Sequence, residues 1–182
     1  MKRWRIGPLA GGGCLFAALS GLFVVGAPPL VAQETSLISF ELRDQFDEVH
    51  RDSDFVDRVV IVIGSDRDGS EFNQDWGQAL YDSLVAEPEF ERIAFLPVAK
   101  VTGVPFFLKG MVRGKFPKEP DQWALIDWDG VFDEAYGFVP GSTNILLFAP
   151  DGSLMLHSHG QEVDADVLEG VVSEARALLD HS

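Results

Sequence analysis

Ser65-Asp66-Arg67-Asp68-Gly69-Ser70-Glu71 follows an apolar run and holds side chains that could do chemistry. Asp66 and Asp68 are two carboxylates, one of which could act as a nucleophile while the other handles a proton. Gly64 and Ser65 intervene between the run and Asp66. The competing reading is structural, with Asp68 capping a helix and Asp66 and Arg67 solvated. Ser70 could serve as a nucleophile only beside a base, and no histidine is placed near it by sequence; it reads otherwise as a residue of the helix's first turn.

Three further groups stand out. His157-Ser158-His159 puts two imidazoles on one face of a strand, which is half a metal site. The other half would have to come from His50 or from carboxylates, and the plainer reading is a pair of surface histidines. Asp127-Trp128-Asp129-Gly130 reads as a tight turn capping a short helix. From Arg92 to Lys118 there is no acidic residue, while Lys100, Lys109, Arg113, Lys115 and Lys118 cluster with Phe106, Phe107, Leu108, Met111, Val112 and Phe116. In an acidic chain such a cationic apolar segment suits a protein partner or a small anionic ligand. The alternative is that the aromatics are core and the lysines their solvated face.

The elements that must position these residues are legible. Arg58 to Gly64 is a continuous β-branched run, as expected of a strand buried on both faces. Phe72, Trp76, Leu80 and Leu84 recur every four residues and predict a helix, with Asp68 and Glu71 as its capping box and Pro88 beyond its end. Ile93 to Val98 predicts a second strand. Pro105 opens a predicted helix to about Phe116 that Gly110 and Gly114 weaken. Trp123 to Ile126 predicts a short strand and Val131 to Tyr136 a short helix. Asn144 to Phe148 and Leu154 to His157 flank a Pro150-Asp151-Gly152 turn as a hairpin. Asp164 is the predicted N-cap of a closing helix to about Leu179, with Val167, Leu168, Val171, Val172, Ala175, Leu178 and Leu179 on one stripe.

That element order resembles the redoxin branch of the thioredoxin superfamily, which includes peroxiredoxins and exported thiol–disulfide reductases. The leader Phe40-x-Leu42-x-Asp44-Gln45-Phe46-x-x-x-His50-x-x-x-Asp54-Phe55 running into Val59-Val60 carries the likeness, as does Tyr136-Gly137 followed by Ile145-Leu146-Leu147-Phe148-x-x-Asp151-Gly152. The resemblance implies an α/β thioredoxin-like fold: a central mixed sheet flanked by helices, with an N-terminal strand or hairpin extension. It also implies a reactive cysteine where the first core strand meets its helix, since helix N-terminal amides stabilise a thiolate. Here that region is Ser65 to Glu71. Dithiol members place a cis-proline before the hairpin strand, and Thr143 takes that position here. Asp66-x-Asp68-Gly69-Ser70 also resembles the Asp-x-Asp-Gly-Thr of haloacid-dehalogenase-type phosphatases. That resemblance implies that the first carboxylate attacks phosphorus, the second handles the proton and a magnesium ion neutralises the charge. Lys100 and Asp127 or Asp129 are the only loose matches for the lysine and acidic pair it also implies.

The chain's only cysteine is Cys14. It lies in a segment with a basic start (Lys2, Arg3, Arg5), an apolar stretch and the small-residue end Leu30-Val31-Ala32, the anatomy of an export signal. The expectation is a signal over 1–32, cleaved before Gln33, and a single domain over 33–182 that is periplasmic or secreted. If the segment were kept, the protein would be membrane-tethered. The chain has 14 basic and 29 acidic residues, a net charge of −15, and the signal carries no acidic residue. Such a surface repels nucleic-acid phosphates and excludes general nucleic-acid binding. The resulting expectation is a cysteine-free, redox-inactive binding or accessory module without a cofactor, whose contact surface includes Arg67, Thr143, Lys109, Arg113 and Lys115. Two alternatives stay open: an antioxidant or thiol oxidoreductase acting with a partner's cysteine, and a metal-dependent phosphate hydrolase using Asp66 and Asp68.

Overall fold

A computed structural model describes residues 34–180. The signal expected over 1–32, and Cys14 within it, lie outside the described residues. No helix among the described residues is long and apolar enough to cross a membrane.

The β-branched run forms β3 (Val59–Ser65), and every residue of it is buried. It is the centre of a five-stranded sheet. β4 (Ile93–Lys100) lies parallel to it on one side, followed by parallel β5 (Leu125–Asp127). On the other side lie antiparallel β6 (Thr143–Phe148) and then β7 (Leu154–Gly160). Because side chains alternate along a strand, β3 feeds two cores. Val60 and Val62 face Phe40, Phe55, Phe132, Tyr136 and Phe138. Val59, Ile61 and Ile63 face α1 (Asn73–Leu84) and α4 (Ala165–Asp180) through Trp76, Leu80 and Leu84 and through Val171, Val172, Ala175 and Leu179. The four-residue spacing in α1 and the stripe in α4 therefore bury as the sequence predicts. Asp164 caps α4 as expected, its Oδ1 accepting from the amides of Asp166 and Val167.

The start of α1 differs from the expected capping box. A 3-10 turn over Ser70–Phe72 precedes the helix, and no side chain caps Asn73. Asp68 is exposed, and Asp66 accepts the Gly69 amide at 2.8 Å instead. A carboxylate two residues earlier reaches that amide because the chain turns before it coils. The helix expected from Pro105 to about Phe116 is also shorter. A 3-10 turn over Phe106–Leu108 leads into α2, which spans only Lys109–Arg113, between helix-weakening Gly110 and Gly114. α3 (Val131–Tyr136) follows β5, and Asp127 caps it as the turn motif predicts. Its Oδ1 accepts from Gly130 and Val131 and its Oδ2 from Phe132.

The leader folds as an antiparallel hairpin of β1 (Glu41–Arg43) and β2 (Val49–Arg51), attached to the sheet edge where Asp44 bridges Leu125. Upstream of it, the buried Tyr136 hydroxyl donates to the Ser36 carbonyl and accepts from the Ile38 amide, both at 2.8 Å. Burial pushes that phenol up to about 12.

Candidate functional site

Three places hold the residues singled out by sequence. The first is the seat at the tips of β3 and β6, where α1 begins. Ser65, Thr143 and Asn144 are buried there. The Thr143 hydroxyl donates to Asn73 Oδ1 at 2.8 Å, and Asn73 Nδ2 donates to Ser65 Oγ at 2.8 Å. Asn144 Oδ1 accepts the Val139 amide, and its Nδ2 donates to the carbonyls of Val139 and Ser142. Thr143, Asn73 and Ser65 form one short chain of neutral groups and Asn144 is held by backbone, so each finds a partner as buried polar atoms must. Thr143, expected at the contact surface, is fully buried, so it shapes the loop from beneath.

Asp66 ties the seat to the loop before β6. Besides the Gly69 amide, both its oxygens lie 3.1–3.2 Å from the Gly141 amide, 75 positions along the chain. The loop is packed hard against the turn, since a Cβ on Gly69 would stand 2.4 Å from the Ser142 carbonyl oxygen. Of the candidate catalytic groups, Asp66 thus spends its carboxylate on backbone amides. Asp68 is exposed, and the exposed Ser70 hydroxyl donates to the Arg67 carbonyl at 2.7 Å. Lys100 is paired with Asp133 at 2.6 Å, and Asp127 is used by α3. Arg67 is exposed beside the seat, where a contact residue was expected.

The second place is the crossing from β4 to β5. No residue of the 3-10 turn at Phe106–Leu108 or of α2 is buried. Phe106 is 89% exposed, Phe107 79% and Met111 65%. The alternative that these aromatics are core does not hold for them: the crossing leaves the sheet here. The cations sit among them. Lys109 Nζ lies 4.9 Å from the centre of the Trp128 ring, Arg113 pairs with Asp47 at 3.1 Å, and Lys115 is exposed. The pairing with Asp47 anchors α2 to the turn of the β1–β2 hairpin.

The third place was not identified by sequence as a site, although Asp44, Phe46, Glu48 and His50 lie in the leader. Asp44 is buried, and its Oδ1 accepts the amides of Phe46 and Glu48, which closes the hairpin turn. Gln45 holds the segment entering β5, donating to the Gln122 carbonyl and accepting from the Ala124 amide. His50 stacks on Trp123, with ring centres 4.5 Å apart and planes within 6°. Asp44, Phe46, Glu48, His50, Pro120 and Trp123 line a pocket of about 320 Å³. The spacing of Asp44 and His50 across the hairpin was the available signal.

His157 and His159 do not gather carboxylates; among the described residues, Asp44, Glu48 and His50 are the group whose donor atoms converge. His157 is half-buried, and its Nε2 has no hydrogen-bond partner. Burial, followed by the nearby His159, pushes its imidazole below the usual histidine range.

No protein-family model matches the chain, and no curated protein matches it. Solved structures do. A structure reported as a thiol:disulfide interchange protein, DsbE, from Chlorobium tepidum superposes with a TM-score of 0.58 at 16% identity, covering 81% of this chain and 99% of that one. The exposed lipoprotein thioredoxin of Streptococcus pneumoniae gives 0.57 at 15% identity, covering 75% and 99%. BsSco, of the Sco family of cytochrome c oxidase assembly proteins, gives 0.51 at 12% identity, covering 83% and 99%. The fold is the thioredoxin fold, with an added N-terminal two-stranded hairpin. With one cysteine in the chain, the dithiol pair that two thiols make within one molecule is absent.

Proposed function

We propose that this chain is an exported thioredoxin-fold domain that works by binding a partner protein rather than by a thiol of its own. The observation that carries this reading is the exposed Phe106, Phe107 and Met111 rimmed by Lys109, Arg113 and Lys115. Two phenylalanines left in water on a short, unburied segment each forgo about 1.5–3 kcal/mol of burial, which a partner can recover. Large exposed apolar side chains grouped within a polar rim are the pattern of an interaction site. The basic rim selects a partner with an acidic face, and Arg67 beside the closed seat extends the surface. The seat supports the same reading, because Ser65, Asn73 and Thr143 satisfy one another where a thiolate would otherwise stand. BsSco shows the scaffold in an assembly family. An export signal over 1–32, cleaved before Gln33, would put the domain in the periplasm or outside the cell.

The disulfide chemistry named for the DsbE neighbour, and the disulfide switch named for BsSco itself, favour a second reading, an oxidoreductase acting with a partner's cysteine. That reading requires turnover from the isolated domain once a thiol is supplied. The binding reading is tested by placing a photo-crosslinking residue at Phe107 and, as a control on α4, at the exposed Ser173. A discrete adduct from position 107, absent from position 173 and lost with Phe106→Ser or Lys115→Glu, is expected. Equal adducts from both positions, or an adduct indifferent to those changes, would overturn it.

A further inference from the structure

We propose that Asp44, Glu48 and His50 form a binding site for one divalent transition-metal ion of the zinc type. Their donor atoms all lie within 4.8 Å of one another, and Asp44 Oδ2 is 3.1 Å from His50 Nε2. Two donors that each stand about 2.0–2.1 Å from zinc are separated by about 3.3 Å in a tetrahedral shell, so these two need almost no movement to share an ion. The two oxygens of Asp44 are already divided between tasks. Oδ1 takes the amides of Phe46 and Glu48, at 2.8 and 3.0 Å, and this fixes the carboxylate with Oδ2 turned to the imidazole. The ring is clamped independently by its stack on Trp123. Such outer contacts orient metal ligands and hold them ready.

Without an ion, His50 Nε2–H donates to Asp44 Oδ2. With an ion on Nε2, the single imidazole proton resides on Nδ1, and no redox step is involved. Glu48 is exposed and supplies the third ligand, a carboxylate. The pocket opens directly on these donors, with Phe46, Pro120 and Trp123 as its apolar walls, and leaves room for water or a small ligand in a fourth position. An imidazole with two carboxylates and no thiolate suits zinc and neighbouring first-row ions better than soft, thiolate-seeking ones. The site stands apart from the binding reading above, as it uses none of the residues of the Phe106 surface.

The test is zinc binding to chelator-stripped protein, read by calorimetry and by metal content after dialysis. One zinc per chain is expected, with affinity at least tenfold weaker in both His50→Gln and Glu48→Gln. The paired His157→Gln/His159→Gln control should bind as the parent does. Asp44 is left unaltered because its Oδ1 holds the turn. Quenching of Trp123 fluorescence on zinc addition, absent in Trp123→Phe, reports binding at this place. The exposed Glu48 keeps the test valid should His50→Gln fail to fold. No zinc retained, unchanged affinity in Glu48→Gln, or loss of binding only in the His157/His159 pair would overturn the proposal.

Discussion

Asp66→Ala should destabilise the domain by about 2–3 kcal/mol. Its carboxylate accepts from the Gly69 amide at 2.8 Å and from the Gly141 amide at 3.1–3.2 Å, joining the start of α1 to the loop before β6. A hydrogen bond to a charged group contributes about 1.5–3 kcal/mol, and the partly exposed Gly141 amide recovers some of its loss by bonding to water. For a domain of this size the melting temperature should fall by about 5–10 °C. Asp66→Asn keeps one oxygen as acceptor and should lose about half as much. Urea unfolding with a common m-value is the assay, since an altered slope would signal a change beyond this contact. A catalytic carboxylate behaves in the opposite way, because active sites give up stability for function and their removal tends to stabilise. An Asp66→Ala protein as stable as its parent would refute the tie between helix and loop.

Other consequences follow from the same contacts. Gly69→Ala should cost about 1–3 kcal/mol in urea unfolding, because its Cβ meets Ser142 backbone atoms at 2.4–2.7 Å. Gly110→Ala meets nothing within 4 Å and should leave stability unchanged or raise it by about 0.5–1 kcal/mol. The Phe106→Ser/Phe107→Ser double variant should unfold within about 0.5 kcal/mol of the parent, as exposed side chains lose no packing; a large loss would show that they are core. His157 gives an acid dependence. Its folded imidazole binds a proton less readily than the ordinary 6.5, so below that pH the unfolded chain takes up the extra proton. Stability should therefore decline as pH falls through about 6.5 and level off below the folded value. Melting temperatures between pH 7.5 and 5 should show a smaller decline in His157→Leu.

The sheet was legible because burial on both faces leaves a local trace. β3 could be recognised from the β-branched run Arg58 to Gly64, α3 from its capping turn, and α4 from Asp164 and an apolar stripe. What escaped was made by distant pairs. Nothing near Asp66 points to Gly141, so local spacing suggested capping by Asp68. Thr143 was aligned to a functional position, but only the approach of Asn73 shows that its hydroxyl is consumed internally. Phe106 and Phe107 are chemically indistinguishable from core residues, and their exposure depends on where the crossing runs after β4. The leader residues Asp44, Gln45 and His50 were recognised as a pattern. Their work lies against Gln122, Trp123 and Ala124, a segment that periodicity does not connect to them. For that reason spacing alone points to His157 and His159, which share a strand, as half a metal site, and not to donors that a turn brings together.

On the proposed reading this thioredoxin-fold domain acts without thiol chemistry of its own. The most direct test is disulfide-reductase and peroxidase turnover by purified protein beginning at Gln33, alongside the full chain carrying Cys14→Ser. Both should turn over neither a protein disulfide nor peroxide above the buffer rate. Sustained turnover by either protein would contradict the claim and require a reactive group within the domain other than a cysteine.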